Sequence, residues 1–268
     1  MENQREKRRR LKREAKEKMR QSNTSPYLSA VIYGAIMIAV VAIAIIFVIT
    51  SLIAALAVTG FNGEELSQAF LNGADIWTYV IECVIGIFST LMGIGFMRYT
   101  LKVFRGQESR YSDVFSGFSK KGVKALIANI IIGIVTGVIV VIAAIVVSVI
   151  LIGIAAVIGN EVISTILIAA IAILICALAL MFYYSFLFTV YIICDEDDIG
   201  VVKAAFKSRK MVKGHKWQLF KVDLSFIGWY ILTTVTLCLA GIYVVPYAYT
   251  VQAGYYDEIK KEYESTAE

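Results

Sequence analysis

Long uncharged stretches broken by basic islands constrain this chain more than any other feature. All 26 Lys and Arg residues fall within 5–20, 98–124, 203–221 and 260–261, while the segments 59–75 and 159–161 carry none. The uncharged runs between the islands reach 33–35 residues. A single soluble core has no room for such runs, whereas a helix crossing a hydrocarbon layer needs about 20 apolar residues. Lys and Arg collect in cytoplasmic loops, so the four basic regions are expected inside and the two bare segments outside. With 59% hydrophobic residues and a mean hydropathy of +0.73, the composition agrees with an integral membrane protein.

The formal net charge of +5 conceals a larger separation. The expected inner regions sum to +10, whereas Glu64, Glu65, Asp75 and Glu161 outside and Glu82 within a span give −5. A basic inner face suits anionic phospholipid headgroups of the cytoplasmic leaflet. Nucleic-acid binding is the rival reading of such charge, and topology determinants account for it without a nucleic acid. The four cysteines, Cys83, Cys176, Cys194 and Cys238, lie in or at the ends of apolar segments with no metal or disulfide spacing. The polar first 26 residues and the long apolar run after them predict a retained first span, not a cleaved signal peptide.

The fold expected is all-α: a polytopic transmembrane helical bundle of about six spans with two cytoplasmic interfacial amphipathic helices. Residues 1–25 read as a cytoplasmic basic helix. Its Leu11, Ala15 and Met19, spaced four apart, form a thin apolar stripe that reads as lying on the inner membrane surface, the alternative being a helix standing in water. A single transmembrane domain over 26–256 follows, with spans near 27–59, 76–101, 125–158, 162–192, 219–239 and 242–256. Pro26 after Ser25 is a good helix start, since proline there forfeits no helical hydrogen bond. Gly159-Asn160-Glu161 reads as a tight external turn. Residues 224–256, interrupted by Gly241 and Pro246, read either as two short spans or as one kinked span; two keep Lys260 and Lys261 inside. Residues 257–268 form a cytoplasmic tail, so both termini are expected inside.

The cytoplasmic loops after spans two and four share a design: polar or acidic residues, an amphipathic helix, then a basic cluster. In the first, Ser112 is placed to cap a helix with Val114, Phe115 and Phe118 on one face, followed by Lys120, Lys121 and Lys124. In the second, Asp195, Glu196, Asp197 and Asp198 precede Val202, Ala205, Phe206 and Val212, with Lys203, Lys207 and Lys210 on another face. These six lysines are expected to reach lipid phosphates while the apolar faces rest at the headgroup boundary. The acidic run reads as helix-start charge. It lacks the alternating ligands and central Gly of a calcium loop.

The second loop continues through Ser208, Met211 and the run Lys213, Gly214, His215, Lys216, Trp217 to Leu224-Ser225-Phe226-Ile227-Gly228-Trp229, with Val245-Pro246-Tyr247 further on. In these motifs, and in the segment 113–118, the chain resembles a bacterial membrane family known as domain of unknown function number 975. The resemblance implies a bacterial integral membrane protein and no established activity. Read from the residues alone, Gly214 ends an interfacial helix, His215 and Lys216 stay at headgroups, and Trp217 anchors at the interface. Asp223 is expected to pair with Lys221 or a neighbouring Arg. The segment 208–229 would act as a hinge.

Among candidate chemical groups, His215 is the lone histidine, in a basic segment without an adjacent nucleophile, and histidine metal clusters are excluded by count. No cofactor site is expected. Glu82 lies about two turns inside the second span, where a carboxylate is expensive. It reads either as a relay or ligand-binding group, or as a side chain that snorkels outward or bonds a neighbouring helix. Arg98 reads as a snorkelling charge, and Asn129 and Gln252 as interhelical hydrogen-bonding groups. Tyr-rich helix ends suggest aromatic belts and packing. Gly86, Gly93, Gly95, Gly133 and Gly137 would permit close helix approach. The functional expectation is a non-enzymatic accessory or scaffold component that engages anionic lipid or a protein partner. The alternative is a small permease or lipid-handling transporter using Glu82.

Overall fold

The computed structural model describes residues 4–59, 75–158, 161–236 and 238–267, and every regular element among them is helical. In chain order these are α1 (Gln4–Gln21), α2 (Pro26–Thr59), α3 (Asp75–Phe104), a 3-10 helix (Tyr111–Phe118), α4 (Lys120–Ile158), α5 (Glu161–Phe186), α6 (Thr189–Asp195), α7 (Val201–Met211), α8 (Lys216–Leu224), α9 (Ile227–Val235) and α10 (Gly241–Ala267). The expected external loop after α2 and the turn at 159–160 lie outside the described residues.

Among the described residues, four stretches are long and apolar enough to cross a membrane: Pro26–Thr50, Tyr79–Phe104, Lys120–Ile150 and Ile166–Asp195. Isoleucine, valine, leucine and alanine dominate them. In hydrocarbon only a helix satisfies each backbone N–H and C=O within its own segment. The first starts as its sequence predicts, with Pro26 at the opening position and the Ser25 hydroxyl accepting the Leu28 N–H at 3.3 Å.

Six spans were expected, and the shortfall falls between 219 and 256. There α8 and α9 have nine residues each, about 13 Å of rise against a hydrocarbon core of about 30 Å. Ser225 and Phe226 turn the chain between them, their N–H groups bonding back to carbonyls of residues 221–223. A second turn ends α9, with Cys238 at φ +70° and the Thr236 hydroxyl accepting the Ala240 N–H at 3.0 Å. α10 then runs through Pro246 and through the expected tail as one 27-residue helix. Its later turns mix Tyr, Asp, Glu and Lys, a pattern that packs on protein on one face and meets water on the other.

The chain forms two compact units. One comprises residues 11–122 and 229–254. In it α2 and α3 run antiparallel, with Tyr33 against Phe96 at a ring separation of 5.3 Å and the Ser89 hydroxyl 3.8 Å from the Met37 sulfur. Beyond the end of α3, Asn23, Thr24 and Ser109 form a polar knot. Asn23 accepts the Ser109 N–H at 3.1 Å and donates to its carbonyl at 2.9 Å, and the Thr24 and Tyr99 hydroxyls lie 2.9 Å apart. The 3-10 helix lies so close to α3 that a Cβ on Gly95 would stand 1.8 Å from the Val114 carbonyl oxygen. One on Gly117 would stand 1.7 Å from that of Leu91.

The same unit corrects the expected surface location of the α1 stripe. Leu11, Ala15 and Met19 are buried, and Leu11 lies beside Gly254 of α10, where a Cβ would also meet the Phe104 ring at 2.7 Å. Protein covers the stripe.

The other unit comprises residues 1–10, 123–228 and 255–268. Its core is aromatic: Phe188, Tyr191 and Tyr256 are all buried, with the two tyrosines stacked at 5.0 Å. These rings serve packing, one of the two roles expected of the tyrosine-rich helix ends. Ser208 fixes α7 to the end of α5 by donating to the Ser185 carbonyl at 3.1 Å, both residues being buried.

Candidate functional site

The sequence nominated an intramembrane polar set whose members are divided between the two units, Glu82, Arg98 and Gln252 in one and Asn129 and Asp223 in the other. Glu82 and Arg98 sit sixteen residues apart on α3, about 24 Å along the axis. Glu82 is exposed on the rim of an open apolar groove of about 250 Å³ lined by Val41, Ile45, Val48 and Ile85. Arg98 does not snorkel; it donates to the Ser116 carbonyl and the Ser119 hydroxyl, each at 3.0 Å, and so ties the 3-10 helix to α3. Asn129 is exposed on α4, and Gln252 is half-buried on α10.

Asp223 differs from expectation too. Its carboxylate accepts the Tyr184 hydroxyl at 2.6 Å instead of pairing with a cation. Burial raises its pKa above the ordinary 3.8, and the Tyr184 hydrogen bond offsets only part of that rise.

The family segment divides into buried and outward residues. Ser208, Met211 and Phe226 are buried. Gly214 adopts φ +93° in the turn after α7, a conformation favouring glycine. His215 lies with Nδ1 3.4 Å from Gln218 Oε1 and Nε2 3.6 Å from a Glu262 carboxylate oxygen, so it belongs to a charged protein network. Lys213 is exposed and Lys216 half-buried. Trp217, 62% exposed, stacks on Phe220 at 5.1 Å beneath the Lys221 ammonium. Gly228 has open space around it. In the other unit, Trp229 lies 5.9 Å from the Tyr243 ring, and buried Pro246 sits within α10. The Tyr247 hydroxyl donates to the Lys12 carbonyl at 3.4 Å, with the Lys16 ammonium 5.3 Å from its ring.

Of the six lysines expected at lipid, Lys120, Lys203 and Lys210 are exposed, whereas Lys121, Lys124 and Lys207 are half-buried. Lys207 is committed to Glu196. The acidic run is therefore not mainly helix-start charge. Gly200 precedes α7 without any side-chain cap, and Asp195 accepts Lys260 at 2.7 Å and the Tyr256 hydroxyl at 3.0 Å. Burial alone would lower the Lys260 pKa, but the Asp195 hydrogen bond and charge, helped by Glu196, outweigh it and hold the ammonium above its ordinary value. In the first loop the helix is 3-10 and opens at Tyr111, with Asp113, not Ser112, accepting the Arg110 N–H at 2.8 Å and Lys102 at 2.8 Å. Three residues per turn set Phe115 and Phe118 outward together and leave Val114 buried against α3.

Sequence reasoning missed a polar assembly joining α1, α8 and the end of α10 in the second unit described. Glu258 accepts Arg10 at 2.7 Å and lies 3.3 Å from Lys7, while Arg8 donates to the Lys221 carbonyl at 3.3 Å. No sequence spacing relates groups more than 200 residues apart, so their only visible signal was the density of charge in α1. Residues 1–263 match the family described as Protein of unknown function (DUF975). No curated protein and no solved structure shows significant similarity to the chain.

Proposed function

Because this chain belongs to the family of proteins of unknown function DUF975, which brings no activity with it, we propose its role from its own physics. It is a multi-pass protein of a bacterial cytoplasmic membrane with both termini inside. It works as a non-enzymatic accessory or scaffold component, engaging anionic phospholipid or a protein partner at its inner face.

The observation that carries this reading is the two-sidedness of α7. Ala204, Ser208 and Met211 are buried, while Val202 and Phe206 stand 66% and 58% exposed beside exposed Lys203, Arg209 and Lys210. Apolar residues flanked by cations suit the boundary between headgroups and acyl chains. Exposed Trp217 on the next helix suits the same depth. The apolar helices support the scaffold part. None of the most apolar window is buried in the first, third or fourth candidate span, so lipid or another membrane protein must cover them.

The test is native mass spectrometry of the protein in nanodiscs cut from its own membrane, together with quenching of Trp fluorescence by brominated phosphatidylglycerol. A protein retained at fixed stoichiometry and quenching lost in Trp217→Phe support the proposal. No retained protein and no Trp217-dependent quenching would refute it.

A second reading is a small permease or lipid-handling transporter, favoured by the position of Glu82 on an apolar groove. A discrete small molecule retained by the native protein and lost in Glu82→Gln, with folding intact, would replace the scaffold reading by this one.

A further inference from the structure

Within the unit of residues 1–10, 123–228 and 255–268, α1, α8 and α10 border a cavity of about 280 Å³ lined by Gln4, Arg5, Arg8, Gln218, Lys221 and Tyr255. Three of the six lining residues are cationic and none is acidic. The neighbouring carboxylate, Glu258, is held by Arg10 and Lys7 through one of its oxygens. Arg8 uses one nitrogen on the Lys221 carbonyl, and a guanidinium carries five N–H donors in a fixed fork.

Two further groups bear on the cavity. Gln218 is 6% exposed and Tyr255 fully buried, yet neither the Gln218 Nε2 nor the Tyr255 hydroxyl makes a hydrogen bond of ordinary geometry, although the two side chains lie close enough to interact. Buried polar groups are nearly always paired, so each such exception calls for an explanation. Burial, the largest cause, and the nearby Glu258 carboxylate push the Tyr255 pKa up to about 12 against the charges of Arg8 and Arg10 and the Gln218 side chain, so the hydroxyl keeps its proton and can donate. Cations and neutral donors thus line one small space and suit a ligand that is anionic and rich in acceptors. A tetrahedral phosphoryl group meets that need, and its oxygens suit the Arg fork. The volume lies just under the roughly 300–1,000 Å³ of pockets that enclose drug-sized ligands, which favours a head group over a whole nucleotide.

We infer that this cavity is a phosphoryl-binding site, taking a phosphate group carried by an anionic lipid or free in solution. Its lipid-borne form rests on the inner-face lipid reading above; its free form does not. Arg8 and Lys221 supply charge, and Gln218 Nε2 and the Tyr255 hydroxyl complete the donor set.

Binding is measured on the full chain in two arms. Inorganic phosphate is titrated calorimetrically into protein held in phosphatidylcholine nanodiscs, with acetate as the anion control. Lipid retention is read by native mass spectrometry from nanodiscs containing phosphatidylglycerol. Tyr255→Phe removes only the hydroxyl, which makes no hydrogen bond of ordinary geometry within the protein, so unliganded stability should hold while phosphoryl binding weakens about tenfold, the equivalent of ~1.4 kcal/mol. Gln218→Leu should act likewise, and Lys213→Gln, an exposed charge outside the cavity, should leave binding within about twofold. A Tyr255-dependent response to inorganic phosphate supports the site with a free ligand. A response confined to phosphatidylglycerol retention supports it with a lipid ligand. Wild-type behaviour of Tyr255→Phe in both arms overturns the proposal, as does an equal loss in Lys213→Gln or acetate binding as tight as phosphate. A retained partner protein unaffected by Tyr255→Phe bears on the scaffold reading alone.

Discussion

Gly95→Ala should be among the most damaging single-methyl additions this chain can receive. The added carbon would stand 1.8 Å from the Val114 carbonyl oxygen and 3.0 Å from the Gly117 nitrogen, all backbone atoms that cannot rotate away. A carbon–oxygen contact needs about 3.3 Å, so α3 and the 3-10 helix must part by roughly 1.5 Å. The Lys102–Asp113 pair at 2.8 Å and the two Arg98 hydrogen bonds at 3.0 Å would then stretch to about 4.4 Å, beyond hydrogen-bond range. Overpacking costs about 1–3 kcal/mol, and a hydrogen bond to a charged group contributes about 1.5–3. Partial adaptation of the long side chains leaves an expected loss of roughly 3–5 kcal/mol. Gly93 supplies the control: two residues away on the same helix, its Cβ would meet nothing within 4 Å, so Gly93→Ala should stabilise by about 0.5–1 kcal/mol. Denaturant unfolding of both variants in detergent, with amide hydrogen exchange over 110–119, measures the contrast. Equal stability and equal exchange in the two variants would refute the close-approach argument.

Arg98→Met should leave the apolar part of α3 intact yet destabilise by about 2 kcal/mol through loss of both hydrogen bonds to the 3-10 helix, with faster exchange of residues 111–119; unchanged exchange there would return Arg98 to a snorkelling role. Asp223 has a folded pKa above its ordinary 3.8, so its contribution is fully present below that value and is lost as pH rises through the raised one. Asp223→Asn should therefore gain stability relative to the native chain at neutral pH and lose that advantage below about pH 4; a variant less stable at pH 7 would show that the Tyr184–carboxylate bond outweighs burial. Lys260→Met takes the ammonium from Asp195, whose side chain is 12% exposed and keeps the Tyr256 hydroxyl, and should cost roughly 3 kcal/mol. Adding Asp195→Asn should recover part of it in a double-mutant cycle, and strict additivity would mean that the two groups do not interact.

The sequence announced its apolar helices because hydropathy and basic islands are local signals. α2, α3, α4 and α5 begin within a few residues of their expected starts. It failed where an element's role depends on a distant partner. The stripe Leu11, Ala15, Met19 was visible, but what covers it was not, since Gly254 lies more than 240 residues onward. The glycines show the same limit: Gly93 and Gly95 look alike on the page, and only the position of the 3-10 helix makes one open and the other obligatory. In the uncharged run 224–256, composition imitated two spans, whereas the turns at Ser225-Phe226 and Thr236 keep α8 and α9 below membrane thickness. Asp223 had cations nearby in sequence, so its tyrosine partner, 39 residues upstream, carried no local trace.

The bond between Arg10 and Glu258 closes a loop of 248 residues. At about 5–20 residues per second of synthesis, Arg10 leaves the ribosome roughly 12–50 seconds before the carboxylate that will hold it. Throughout that interval α1 has neither its ionic partner nor the Gly254 surface against which Leu11 rests. Contacts of such separation are slow to form because the connecting chain's entropy is spent before they contribute anything. Each of these contacts can form only once residues 254–258 have been synthesised, so α1 is secured long after it is made.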